Sequence, residues 1–133
     1  MQLQQLSSDQ IEVILAAFRS ASTVPKPEYH LEKHGDMLGV RSIAEYEEAF
    51  RDHVQGEGLR VFTYLRPADR TPFWELVDPS TGTTGVYNER KSEVSSFFRP
   101  KSPERRMVVA QQWWIEVVQT SQGWEPKENW QWK

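Results

Sequence analysis

The sequence predicts an α+β fold in which N-terminal helices pack on one face of a four-stranded antiparallel sheet, followed by a C-terminal helix and a tryptophan-rich tail. Three observations support this prediction. Apolar residues recur at helical spacing in the first 56 residues, alternate in short runs between residues 59 and 98, and return to helical spacing after Pro100. The length of 133 residues is usual for one domain, so we expect residues 1–133 to form a single domain.

Three helices are predicted in the first half. The first covers Ser8 to Ala21, where apolar residues fall on one face. The second covers Glu28 to Leu38, between a proline that favours helix starts and a glycine that favours helix ends. The third begins at Ser42, whose Ser-x-x-Glu pattern is typical of a capping box.

Four strands are predicted in the middle of the chain, separated by turns rich in proline, glycine and asparagine. They cover Leu59 to Leu65, Phe73 to Val77, Thr83 to Tyr87 and Val94 to Phe98. Because the connections are short, we expect an antiparallel meander.

The last third is predicted to form a helix from Pro103 to about Thr120. A strand over Trp113 to Val118 is the alternative, because this stretch is also rich in β-formers. The tail from Gly123 to Lys133 carries three tryptophans, and we expect it to pack on the body or on a partner.

Composition excludes several classes. The chain has no cysteine, which rules out disulfides and thiolate metal sites. It has neither an apolar run of the roughly 20 residues that span a bilayer nor the features of a signal peptide, so we expect a cytoplasmic protein without a membrane partner, or a module of a larger one. The net charge of −3 counts against non-specific nucleic-acid binding, although a local basic cleft can still attract phosphate.

The segment His30-Leu31-Glu32-Lys33-His34 is the first candidate site, and three interpretations compete. The two histidines could bind a metal, with His53 or Asp36 as the third ligand that zinc requires. They could be ordinary surface histidines. They could also form the acid/base centre of a ribonuclease, because imidazole titrates near neutral pH and Lys33 stands beside it.

The segment Ser95-Ser96-Phe97-Phe98-Arg99-Pro100 is the second candidate. In an alternating strand Ser96 and Phe98 share a face and Phe97 points to the other. A hydroxyl, an aromatic ring and Arg99 suit phosphate contact and base stacking. Ordinary sheet packing accounts for the same residues equally well.

Together the two segments resemble the colicin D-like nucleases, which belong to the wider barnase/EndoU/colicin/RelE-like (BECR) class of bacterial toxins and phage proteins. The shared pattern is H-x-x-K-H-G-x-x-L-G-[VI]-x-S-x-x-E-Y at residues 30–46, followed by strands and S-F-F-R-P at residues 96–100. The resemblance covers residues 29–100 as a nuclease-like core and leaves residues 101–133, the C-terminal helix and tail, outside it.

The resemblance implies a compact α+β nuclease that cuts RNA without metal or cofactor, in several members tRNA, and leaves a 2′,3′-cyclic phosphate and a 5′-OH. It implies RNA as the substrate and an immunity or inhibitor protein as a second partner. We therefore expect an endoribonuclease, a hydrolase of toxin or phage type. The catalytic candidates are His34, His30, Lys33 and Ser96.

The substrate-binding candidates are Phe98, Arg99 and Lys91. One alternative is a non-catalytic protein- or RNA-binding module on the same fold. Another is an unrelated α+β interaction domain in which both segments arise by chance.

Overall fold

The computed structural model describes residues 7–127 and confirms the α+β class. Its helices and strands follow one another in the order α1 (Ser8–Ser20), α2 (Pro27–Leu38), α3 (Ile43–Val54), β1 (Arg60–Leu65), β2 (Pro72–Val77), β3 (Thr84–Asn88), β4 (Glu93–Phe98), α4 (Pro103–Trp113), β5 (Ile115–Thr120) and β6 (Gly123–Pro126). Within this part of the chain no helix is long and apolar enough to cross a bilayer.

Serine caps begin the first and third helices. Ser7 and Gln10 form a complete capping box at α1, in which each side chain accepts a hydrogen bond from the other residue's backbone N–H. At α3 the Ser42 hydroxyl accepts from the Glu45 N–H, as predicted. The Glu45 carboxylate, however, accepts from the N–H of Arg41. The first hydrogen bond of the predicted capping box is present, but the second comes from the N–H of Arg41 instead of the N–H of Ser42.

The sheet has six strands in the order β4-β3-β2-β1-β5-β6, and all neighbours are antiparallel. Strands β1 to β4 form the predicted meander. The other edge of β1 pairs with β5, and β6 extends the sheet further. The prediction of four strands therefore missed β5 and β6, which form a hairpin at the C-terminal end of the described chain.

The predicted helix from Pro103 to Thr120 is wrong in its second half, because α4 ends at Trp113 and residues 115–120 form β5. The alternative of a strand in this stretch is correct. Two reasons favour it: the β-branched residues alternate, so that Ile115 and Val117 are buried, and pairing with β1 satisfies the backbone groups of an otherwise open edge.

Helices cover both faces of the sheet. Helices α1 to α3 bury the larger core, in which Trp74, Tyr46 and Tyr87 are the bulkiest side chains. Helix α4 crosses the opposite face and packs Ala110 against Phe62 and Val77. Helix α4 therefore lies on the face opposite to α1–α3, because it must cross the sheet to carry the chain from β4 to β5.

The beginning of the tryptophan-rich tail packs on the body. The Trp124 side chain contacts the larger core, and its backbone N–H donates to the Ser8 hydroxyl at 2.7 Å. This bond joins β6 to the start of α1. Trp130 and Trp132, for which the same packing was expected, lie outside the described residues.

Gly82 lies in the β2–β3 turn, where it packs closely against the start of α4. Its φ is +75°, and a Cβ there would lie 2.8 Å from Pro100 Cγ and 2.9 Å from Pro103 Cα. Gly58 has a similar φ of +74° but nothing within 4 Å, which makes it a matched control. We expect Gly82→Ala to lower the free energy of unfolding by about 1–3 kcal/mol more than Gly58→Ala, because only the first adds a steric clash. Urea unfolding of both variants measures this difference, and equal losses would contradict it.

Candidate active site

Strand β4 forms one edge of the sheet and presents the second candidate segment. A bulge interrupts its pairing with β3, since Val86 faces Ser96 whereas Tyr87 faces Val94. The extra residue, Ser95, has no partner in the ladder. As a result Val94 and Phe97 both enter the larger core, and Ser96 lies on the opposite face. Phe98 shares that face by alternation.

Helix α2 brings the first candidate segment to this edge. The ring centroids of His34 and Phe98 are 5.6 Å apart, and those of His30 and His34 are 5.7 Å apart. All three side chains are half-buried. The structure thus brings together two segments that are more than 60 residues apart in sequence, and Ser96 lies two residues from Phe98 on the same face.

Both imidazoles have pKa values below the ordinary 6.5 of histidine. Burial is the main cause for His34, and the charges of His30 and Lys33 add to it. Burial also dominates for His30, whose pKa is lowered further by Lys33 and Lys26. Each ring is therefore neutral at pH 7, the form in which a histidine accepts a proton.

His30 connects the pair to the core. Its ring is nearly parallel to that of Tyr46 at 6.4 Å, and the Tyr46 hydroxyl donates to the Phe97 carbonyl at 2.7 Å. Burial raises the pKa of Tyr46, so this phenol stays a donor. The Nδ1 atom of His30 is buried and has no hydrogen-bond partner within residues 7–127.

The three cationic residues that the sequence predicted for the site make their contacts elsewhere than at the His34 and Phe98 rings. The Lys33 amino group lies 3.4 Å from the Tyr29 hydroxyl on the exposed side of α2. Arg99 donates from Nε to the Thr83 hydroxyl at 2.8 Å. Lys91 lies in the β3–β4 turn, at the opposite end of a strand that spans roughly 17 Å.

The cation that contacts the centre is Arg106 of α4, which the sequence did not reveal. Its guanidinium carbon lies 5.0 Å from the centroid of Phe98 and 4.8 Å from that of Trp114. It forms an ion pair with Glu75, whose other carboxylate oxygen accepts from the Tyr64 hydroxyl at 2.9 Å. The signal that could have found Glu75 is a charged residue inside the otherwise apolar run Phe73-Trp74-Glu75-Leu76-Val77.

Glu75 lies at the middle of the face that carries Ser96. Both residues flank Val86 in register, so two strand spacings, roughly 10 Å, separate their backbones. Glu75 is only 1% exposed, and this burial raises the pKa of its carboxyl group, whereas Arg106 and Tyr64 act in the opposite direction. A buried carboxylate with these two partners holds the Arg106 guanidinium against Phe98.

The structure does not group His53 or Asp36 with the histidine pair as a third metal ligand. His53 Nε2 lies 2.9 Å from the Leu76 carbonyl, on the side of the larger core, and Asp36 is exposed. Across residues 7–127, no three His, Asp or Glu side chains are grouped as metal ligands would be.

Comparisons of the chain with protein-family models, with curated proteins and with solved structures found no match.

Proposed function

We propose that the protein is an endoribonuclease that cleaves RNA without metal, using the 2′-OH of the substrate as the nucleophile. The observation that carries this proposal is the packing of the His34 ring on Phe98 at 5.6 Å, with the Arg106 guanidinium 5.0 Å from the same ring and Ser96 on the same strand face as Phe98. An imidazole supplies the proton transfer that RNA transesterification needs, and a guanidinium and a hydroxyl stabilise the charge that develops on the phosphate.

His34 acts as the general base in this proposal. Its lowered pKa leaves the imidazole neutral, so it removes the 2′-OH proton as that oxygen attacks the adjacent phosphorus. The bond from phosphorus to the 5′-oxygen breaks, and His30, protonated in the active form, gives its proton to that leaving oxygen. The products are a 2′,3′-cyclic phosphate and a 5′-OH end, and atoms and charge balance without a further reactant.

Arg106 takes the role that the sequence suggested for Arg99. Its guanidinium is fixed between two rings and by Glu75, so it offers positive charge to the phosphorane with little loss of side-chain freedom. Ser96 donates a hydrogen bond to a phosphate oxygen, and Phe98 positions His34 and Arg106, because both groups lie against its ring. Lys33 contributes a more distant, screened charge.

The direct test is incubation of the purified protein with total tRNA in EDTA. We expect discrete fragments that carry 5′-OH and 2′,3′-cyclic phosphate ends, identified by mass spectrometry. Total tRNA that remains intact at micromolar protein concentrations would argue against the proposal, and so would fragments with 5′-phosphate ends.

The two histidines predict an acidic pH optimum. Catalysis requires one neutral and one protonated imidazole, so the active form is the singly protonated pair. Because both pKa values lie below 6.5, kcat/KM should pass through a maximum below pH 6.5 and fall at higher pH as the acid loses its proton. His30→Gln should remove the fall on the alkaline side. A rate that keeps rising above pH 7 in the unmodified protein would contradict these roles.

A non-catalytic binding module is the second candidate, and the outer surface of α4 favours it. Val108, Val109 and Trp113 are 58%, 41% and 57% exposed, which forms an apolar patch on one helix. A protein that cuts no RNA but forms a stable complex, lost on Trp113→Ser, would favour this function over the nuclease.

A further inference from the structure

A groove of about 660 Å³ opens beside the histidine pair, where α2 begins and the β3–β4 turn approaches it. The side chains that matter for its chemistry are Lys26, Tyr29, His30, Arg66, Lys91 and Ser95. His30 forms one wall of the groove, and the centroid of its ring lies 5.7 Å from that of His34. The groove is therefore a continuation of the candidate active site rather than a separate cavity.

The groove concentrates positive charge on an acidic chain. Three of its lining residues are lysine or arginine, and Glu93 is the single carboxylate among them. Arg66 also forms an ion pair with Asp69, which offsets its charge and fixes the guanidinium in place, so the excess of positive charge in the groove comes from Lys26 and Lys91. By contrast, the groove between β1 and β5 has two arginines and two glutamates in its lining. The charge at the first groove thus favours an anion.

The local backbone adds hydrogen-bond donors. Lys26 precedes α2 in a left-handed conformation, with φ of 56°, and its side chain makes no capping hydrogen bond. Pro27 has no N–H, so Glu28 and Tyr29 supply the first backbone N–H donors of α2 beside the groove. The bulge in β4 leaves Ser95 unpaired and exposed, and its side chain lines the groove.

An exposed aromatic ring borders the same groove. Tyr29 is 49% exposed, and the Lys33 amino group lies 5.5 Å from its ring centroid. Rings in this position stack on unpaired bases with little sequence preference, whereas cations and backbone N–H groups contact phosphates. Base stacking beside a cationic groove is the combination that single-stranded RNA requires.

We propose that this groove binds a phosphate of the RNA strand that flanks the phosphate held at His34 and Phe98, with Tyr29 stacking on the adjoining base. The inference rests on the proposed function and deepens it, because it makes a single-stranded segment the substrate. Lys26 and Lys91 bind the flanking phosphate, Arg66 adds a fixed donor, and His30 separates this subsite from the cleaved bond.

Binding of an uncleavable RNA tests the groove directly. The probe is a fluorescein-labelled hexanucleotide with 2′-O-methyl groups, followed by anisotropy. We expect Lys26→Gln/Lys91→Gln to weaken binding on the order of tenfold and to reduce the slope of log affinity against log salt by about 0.7, because the two lysines share one phosphate. Arg41→Gln/Arg105→Gln removes the same charge from exposed residues outside the groove, and its affinity should stay close to that of the unmodified protein. Equal losses in the two double variants would overturn the proposal.

Cleavage of two substrates separates this inference from the nuclease proposal. The single groove variant Lys26→Gln should cleave a dinucleoside monophosphate as the unmodified protein does, but its kcat/KM for a hexanucleotide should fall several-fold, by about the loss of one charged hydrogen bond. If the unmodified protein cuts neither substrate while the difference in binding persists, the nuclease proposal fails and the groove remains an RNA-phosphate site. If the groove variant cuts both substrates at the unmodified rate and binds RNA normally, the groove proposal alone is wrong.

Discussion

Replacing His34 by alanine is expected to lower kcat/KM for RNA cleavage by roughly 10²–10⁴-fold, the usual range for losing a general base. The reason is specific to the geometry, because His34 is the imidazole that contacts Phe98 at the open end of the β4 edge. The measurement is the initial rate of cleavage of a fluorogenic RNA oligonucleotide at subsaturating concentration, in EDTA and near the pH optimum.

Glu32→Ala provides the control for this variant. Glu32 is an exposed residue on the same helix, so its replacement makes a similar truncation without touching the imidazole pair. We expect Glu32→Ala to retain cleavage within about twofold and both variants to keep near-native unfolding midpoints, as surface substitutions usually do. Equal rates for the His34→Ala and unmodified proteins would remove His34 from the mechanism.

Replacing Arg106 by methionine is expected to produce the largest loss of stability, about 3–5 kcal/mol, because it leaves the Glu75 carboxylate buried without its charged partner. The double variant Glu75→Leu/Arg106→Met should be more stable than Arg106→Met, since it leaves no buried charge behind. Urea unfolding of the singles and the double gives the coupling energy. A double variant as unstable as the sum of the singles would show that the pair has no specific interaction.

The pH dependence of the Arg106→Met variant follows from the same carboxyl group. Burial raises the pKa of Glu75 above its ordinary 4.5, so the folded protein holds this proton more tightly than the unfolded chain does. The stabilisation that comes from binding this proton is fully present below pH 4.5, and it is lost as the pH rises through the pKa of Glu75 in the folded protein. Without Arg106 the loss should extend to higher pH, which unfolding free energies between pH 4 and 8 would reveal.

Local patterns predicted most of the fold. The first helices and the meander depend on periodicity, caps and turn residues within a few positions, and their predicted boundaries lie within one residue or so of the observed ones. The stretch Trp113 to Val118 was ambiguous because its residues suit a helix face and a strand equally. The free edge of β1, a tertiary feature that no local window contains, decides in favour of β5.

The candidate site was predictable only in part. The resemblance selected His34 and Phe98, and the structure places their rings in contact. Arg106 could not be predicted, because its position over Phe98 depends on α4 crossing the sheet face on the way to β5. The bulge at Ser95 could not be predicted either, because a pattern of strict alternation assumes that every residue of the strand is paired.

The most direct test of the 2′-OH mechanism at His34 is cleavage of one RNA in two forms. After the cut has been mapped, the nucleotide on its 5′ side is synthesised with either a 2′-OH or a 2′-O-methyl group. We predict that the first RNA is cut to a 2′,3′-cyclic phosphate by the unmodified protein and far more slowly by His34→Ala, and that the second RNA is not cut at that position. Cleavage of the methylated RNA at the same position and rate would contradict the mechanism.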